Sequence, residues 1–171
     1  MKKFIFLIIF LFFTENLFAK DKILYLDVNY LLNYSDVGKY VTEELNKLNK
    51  KNISQFKKIE ETIKKNEKDI IKQKNILKDE EYNLKIADLK SEYSSYKELT
   101  NKKNVEFKKL QNNAGDQILK IINVILSDYA TENEVSLIID KKHVVIGKSQ
   151  LDVTKDIMII LNNKVKKVEI K

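Results

Sequence analysis

His143, Ser149 and Asp152 are the residues of this 171-residue chain whose types could supply a base, a nucleophile and an orienting acid. Their setting argues against that chemistry. No Gly-x-Ser-x-Gly elbow surrounds Ser149, nothing nearby supplies an oxyanion site, and His143 falls in a predicted exposed turn. Gly147-Lys148-Ser149 has the ending of a phosphate-binding loop. The glycine that the motif requires five residues earlier is Lys142, however, and the segment follows a predicted hairpin strand. Asp152, Thr154 and Asp156 could offer oxygen ligands, but they read better as cap and first-turn residues of a helix. One histidine and no cysteine leave no zinc site. No catalytic residue, metal or cofactor is therefore expected, and the functional question moves to surfaces.

The surface chemistry is dominated by lysine. All 32 basic side chains are Lys, against 25 acids, for a net charge of +7. The absence of arginine weakens any scheme that needs bidentate recognition of phosphates or bases. Residues 37–109 hold 19 lysines and 13 acids, an excess of six positive charges. Such a field speeds the encounter with acidic partners at low salt. Lys57, Lys58, Lys64, Lys65 and Lys72 carry much of it, and Tyr82, Tyr93 and Tyr96 interleave with the charge as adaptable apolar contacts.

Several elements must position these side chains. The chain opens Met1-Lys2-Lys3, runs apolar from Phe4 to Phe13, and reaches Leu17-Phe18-Ala19. A basic start, an apolar run and a small residue predict a signal peptide, residues 1–19, cleaved after Ala19. The apolar run is about half the ~20 residues of a membrane span. Cleavage removes two lysines and one glutamate and leaves Lys20–Lys171 at +6.

Ile23-Leu24-Tyr25-Leu26 reads as a buried strand, after which Asp27 caps a short helical turn, Val28 to Asn33. Residues 36–132 contain no proline and are dense in Lys, Glu, Asn, Leu and Ile, the pattern of a long helical hairpin. Phe56, Ile63, Ile70, Leu77 and Leu84 recur every seven residues. The positions three later are Ile59, Asn66, Gln73, Glu80 and Ala87, so the predicted coiled-coil seam is thin. Glu43/Lys47, Glu60/Lys64, Glu61/Lys65, Glu81/Lys85 and Glu98/Lys102 are i,i+4 pairs in the favourable order. A tip at residues 76–82, with Asp79 as N-cap, divides the zone into arms of ~60 Å each. The root is richer in apolar residues: Val37, Val41, Leu45 and Leu48 face Ala114, Ile118, Ile121, Ile122, Ile125 and Tyr129.

Beyond Asn133, Val135–Ile139 and Val144–Ile146 read as strands of a hairpin, and Lys155–Asn163 as an amphipathic helix. Residues 20–35 and 133–171 together form a small β-rich body. Three short strands make a poor independent sheet with exposed edges, so pairing between copies of the chain is expected. Its surface should draw on Ile23, Tyr25, Leu137, Ile138, Ile139, Val144 and Ile146. The fold class expected is α+β, mostly α: an antiparallel coiled-coil hairpin projecting from that body.

This layout resembles the Skp (OmpH) family of periplasmic chaperones. The features that carry the resemblance are the signal peptide, Lys22-Ile23-Leu24-Tyr25-Leu26-Asp27-Val28 with Leu31-Leu32, and Ser35-x-x-Gly38. Lys78-Asp79-Glu80-Glu81-Tyr82, Leu137-Ile138-Ile139-Asp140, and Asp152-Val153-Thr154 with Leu161-Asn162 complete it. The resemblance implies a homotrimer in the periplasm, with three arms hanging from a shared β-body around a cavity. It implies that unfolded outer-membrane proteins are held there without ATP. Family arms are often Arg-rich, whereas these have only Lys, so no lipopolysaccharide-contact cluster is assigned, and an anionic membrane or lipopolysaccharide remains only a partner class. Two other functions compete: a structural or tethering coiled-coil protein of the envelope, and nucleic-acid binding by the basic arms. Lysine-rich helices bind DNA without sequence preference, but export places the chain in the wrong compartment, and no nucleic-acid partner is expected.

Overall fold

The computed structural model describes residues 21–171; the signal peptide expected at 1–19 lies outside the described residues. Strand β1 (Ile23–Leu26) leads into helix α1 (Val28–Tyr34), whose N-cap is Asp27: its carboxylate accepts the Tyr30 amide at 2.8 Å. Helix α2 (Asp36–Gln73) and helix α3 (Asp79–Glu132) form the hairpin. Strand β2 (Leu137–Asp140), two 3-10 turns (Lys141–His143 and Ser149–Leu151) and helix α4 (Thr154–Lys164) complete the body.

Ser35 separates α1 from α2. Its buried hydroxyl accepts the Gly38 amide at 3.1 Å, closing the first turn of α2. Gly38 is obligatory for packing: a Cβ built there would lie 2.0 Å from the Leu32 carbonyl oxygen. The tip is a turn at residues 74–78, slightly earlier than expected. Lys78, not Asp79, takes the N-cap position of α3, with no side-chain cap. Asp79, Glu80 and Glu81 instead occupy the first turn, where their charge opposes the positive end of the helix dipole. At the other end α3 closes with Glu134 in the left-handed region (φ 52°), and the Val135 amide reaches back to the Ala130 carbonyl at 2.9 Å.

One core holds the body and the root of the hairpin together. Leu24, Leu26 and Leu31 meet Val37, Val41 and Leu45 from α2, Ala114, Ile118, Ile122 and Ile125 from α3, and Val153, Ile157 and Leu161. The Asp36 amide donates to the Asn162 side-chain carbonyl at 2.8 Å, fixing α4 against the start of α2. The expected seam continues outward through Phe56, Ile59, Ile63, Ile70 and Leu77, but beyond the root only Asn52 and Ile63 are buried on α2 and none on α3. Asn66, at a polar seam position, spans the arms by donating to the Glu92 carboxylate at 3.0 Å. Leu84 is exposed, not a seam residue. The turn at 74–78 resets the heptad, and the returning face is Tyr82, Ile86, Leu89, Tyr96 and Leu99.

Of the expected ion pairs Glu60/Lys64 forms, at 2.7 Å. Lys47 takes Glu44 instead of Glu43, and Glu61 meets Lys57 instead of Lys65. These pairs are exposed and screened by solvent, so they add little to the stability of the arm. Local opening should therefore begin at the arm: amide exchange is expected to be fast across residues 60–100 and slow across 115–128. Uniform protection along both helices would contradict this distribution of packing.

The body departs from the expected topology. β1 and β2 are parallel, with Ile23 opposite Leu137, Leu24 opposite Ile138, Tyr25 opposite Ile139, and Leu26 opposite Asp140. Val144–Ile146 is not a strand. After Asp140 the chain makes a 3-10 turn, with the Asp140 carboxylate accepting the Lys142 amide. Lys141-Lys142-His143 lacks the Asn-Gly or Gly-rich chemistry that a tight hairpin requires. The other side of β1 is met by Asp152 and Val153, whose amide donates to the Tyr25 carbonyl at 2.9 Å.

Candidate functional site

Two surfaces stand out, one on the body and one along the arms. The parallel register sorts the β-body side chains into two faces, since successive residues of a strand alternate. Leu24, Leu26 and Ile138 turn inward; Ile138 packs against the protomer's own core and so leaves the expected association surface. Ile23, Tyr25, Leu137 and Ile139 share the outer face, with Ile23 and Leu137 about half exposed.

The loop after the first 3-10 turn folds over this outer face. Tyr25 donates its hydroxyl to the Lys148 carbonyl at 3.2 Å, and Lys141 Nζ lies 6.0 Å from the ring centroid. Gly147 permits the close approach, because a Cβ there would stand 2.7 Å from Tyr25 Cε1. Val144 is half-buried beside it. Held this way, the loop turns Val145 and Ile146 to solvent, Ile146 being 92% exposed. Ile146, Ile23 and Leu151 line one open cleft, rimmed by Asp21, Lys22 and Lys148.

The outer edge of β2 has no ladder partner among the described residues. Parallel sheets are normally covered on both faces, and a two-stranded sheet is marginal by itself. An apolar patch of this kind marks an interaction surface.

Asp152 anchors the loop from below. Burial pushes its carboxyl up, but hydrogen bonds from Lys141 and Thr154 outweigh burial and hold it below the usual carboxylate range. Thr154 in turn accepts the Asp27 amide at 2.9 Å, which ties α4 to the start of α1. Asp152 is thus committed to Lys141 and Thr154, while His143 ends an exposed turn; the three residues that could have made a triad serve loop geometry. Among the described residues no group of three or more His, Cys, Asp or Glu is placed to hold a metal.

The second surface lies on either side of the thin part of the hairpin. One cleft is lined by Ile63, Leu89, Tyr93 and Tyr96, with Glu60, Lys64 and Lys90 at its margin. The opposite one is lined by Ile59, Ile63, Tyr96 and Leu99. Tyr96 meets Phe56 edge-to-face at 6.5 Å, so it belongs to the hairpin packing, whereas Tyr93 is mostly exposed. Tyr82 is half-buried near the tip. Lys57, Lys58, Lys65 and Lys72 are exposed. Lys64 is held by Glu60, whose hydrogen bond raises the lysine above its ordinary pKa. Ile53, Ile71, Ile76 and Val105 are also exposed on the arms. The structure brings Lys64, Tyr93 and Tyr96 together at one cleft; Lys57, Lys58, Lys65 and Lys72 lie elsewhere on α2.

The C-terminal segment, residues 165–171, is a feature that sequence reasoning missed. It packs Val165, Val168 and Ile170 against the root. Val168 and Ile170 alternate with exposed Lys167, Glu169 and Lys171, the period of an extended segment.

The fold is similar to that of a Caulobacter crescentus CB15 protein assigned as an OmpH-like outer membrane chaperone. The TM-score is 0.81 at 14% identity, over 88% of this chain and 89% of that one. No curated protein matches the sequence. A family model, outer membrane protein (OmpH-like), matches residues 22–161, which takes in both strands, both arms and most of α4: the chain belongs to the OmpH-like outer membrane protein family.

Proposed function

We propose that this protein is an ATP-independent holdase of the periplasm that, as a homotrimer, captures unfolded outer-membrane protein precursors and keeps them from aggregating. The observation that carries the proposal is the division of labour in the chain. A well-packed body presents an uncovered apolar face at Ile23, Leu137 and Ile146, and thin arms present aliphatic and tyrosine side chains amid excess positive charge. The first surface suits self-association. The second suits many weak contacts with a chain that has no fixed shape. Membership of the OmpH-like family supports the same function.

Exposed charges are screened over ~8–10 Å at physiological salt, so steering by the arms should depend on ionic strength. In stopped-flow capture of an acidic, urea-unfolded β-barrel precursor, raising salt should slow association more than it speeds dissociation. ATP should have no effect. Reversing Lys57, Lys58, Lys64 and Lys65 to Glu should slow capture about tenfold at low salt. The oligomer should stay intact, because all four lie on α2 beyond the root core. An association rate indifferent to salt and to the four reversals would remove the electrostatic part of the mechanism, and a requirement for ATP would remove the holdase.

A further inference from the structure

The C-terminal segment lies in a groove that recognises main chain. Asn113 donates its side-chain amide to a main-chain carboxylate oxygen of Lys171 at 3.1 Å, and Gln117 donates to the Glu169 carbonyl at 2.8 Å. These two amides sit one turn apart on α3, a rise of about 6 Å. Alternate carbonyls of an extended chain are spaced at about 6.6 Å, so the pair matches the repeat of a strand. Val168 and Ile170, the residues before each gripped oxygen, line a cavity together with Tyr40, Leu48 and Leu110. Lys167 stands over the Tyr40 ring at 5.3 Å, and Lys166 pairs with Asp36 at the groove's lower end.

Apart from the contacts of Lys166 and Lys167, the groove takes from the tail only aliphatic side chains two residues apart and main-chain oxygens. Both hydrogen bonds go to main-chain oxygens, and an internal residue in the place of Lys171 would offer its peptide carbonyl there. We propose that this root groove is a binding site for extended polypeptide with alternating aliphatic residues, and that residues 165–171 occupy it as an internal stand-in for such a segment. The proposal rests on the holdase function above. The strands of an outer-membrane barrel alternate apolar and polar residues along their length, the pattern that the tail presents. Covered by its own tail, the groove is masked when no client is bound. A tethered competitor acts at an effective concentration of order mM, so an incoming segment must displace the tail, and a long client can do so through its additional contacts along the arms.

The test uses the full mature chain carrying Val168→Asp and Ile170→Asp, which should release the tail, and a fluorescein-labelled peptide of the sequence Lys164–Lys171. Fluorescence anisotropy should show the peptide binding at least tenfold more tightly to this variant than to the wild type. Adding Asn113→Ala and Gln117→Ala should weaken that binding at least fivefold. Equal binding to wild type and variant, no binding to either, or indifference to loss of the two amides would overturn the proposal.

Should the released variant fail to fold, the wild-type tail is tested instead. Asn113→Ala with Gln117→Ala should speed tryptic cleavage after Lys167 at least fivefold, and an unchanged rate would overturn the proposal. The wild type is run in parallel in an aggregation assay. Suppression of aggregation without peptide binding sinks the groove alone, whereas peptide binding without suppression supports the groove and sinks the holdase.

Discussion

Leu137→Asp combined with Ile146→Asp is expected to convert the proposed homotrimer into folded monomers, a threefold fall in mass by sedimentation equilibrium of Lys20–Lys171. Both side chains lie on the outer face of the body, Leu137 50% and Ile146 92% exposed, so neither supports the protomer's own core. Covering each by a partner is worth up to ~1.5–3 kcal/mol. Leaving an unpaired carboxylate in the same place costs several kcal/mol more. At ~1.4 kcal/mol per decade of dissociation constant, two such losses per protomer weaken association by more than three orders of magnitude. Far-UV circular dichroism should be unchanged, because β1, β2 and α1–α4 are built within one chain. A wild type that is monomeric at micromolar concentration, or a variant that keeps the wild-type mass, would contradict the role given to this face. Ile138→Asp is the instructive contrast: it enters the protomer core and should unfold the body rather than separate intact subunits.

Gly38→Ala should have the largest effect on stability of any single methyl group added to the chain. The new Cβ would lie 2.0 Å from the Leu32 carbonyl oxygen and 2.8 Å from its carbon, both main-chain atoms that cannot swing aside. Relief requires α1 to move away from α2, which would open the contacts of Leu31 and Val37, both fully buried. The expected loss is about 3 kcal/mol or more, in the range reserved for core overpacking and broken caps. Gly115→Ala is its control. Nothing lies within 4 Å of a Cβ there, and the residue is inside α3. Alanine should therefore stabilise the protein by up to ~1 kcal/mol, the difference in helix propensity. Urea unfolding of the two variants checks both signs, and a Gly38→Ala protein as stable as wild type would show that the α1–α2 junction is slack.

Much of this was legible in the sequence because the signals were local. Asp27 is a cap residue set before the apolar residues of α1 and accepts the amide three residues on; Ser35, noted only with Gly38 in the family pattern, does the same for α2. The hairpin followed from a long stretch free of proline, and its root from closely spaced apolar residues at Ile118, Ile121, Ile122 and Ile125. What failed depended on distant partners. Val144-Val145-Ile146 has strand composition, but β1 finds its second neighbour at Asp152 and leaves that run to display Ile146. Parallel pairing of Ile23 with Leu137 joins residues more than a hundred apart, with a whole hairpin as the crossover, and no local pattern encodes it. The register likewise sets Ile138, packed against the protomer core, apart from Leu137 and Ile139 on the outer face, and no local pattern separates the three. The tail was missed for the same reason: its alternation is only a few residues long, and its meaning lies in Asn113 and Gln117, more than fifty residues earlier.

Light scattering shows whether the chain holds unfolded outer-membrane proteins as proposed. A β-barrel precursor is diluted from urea into buffer without nucleotide, with and without one equivalent of the assembled mature protein. Scattering should be suppressed, and the four lysine-to-glutamate reversals should weaken suppression most at low salt. Scattering that rises equally with and without the protein, while the protein remains a folded trimer, would contradict it and would leave a structural tether of the envelope in its place.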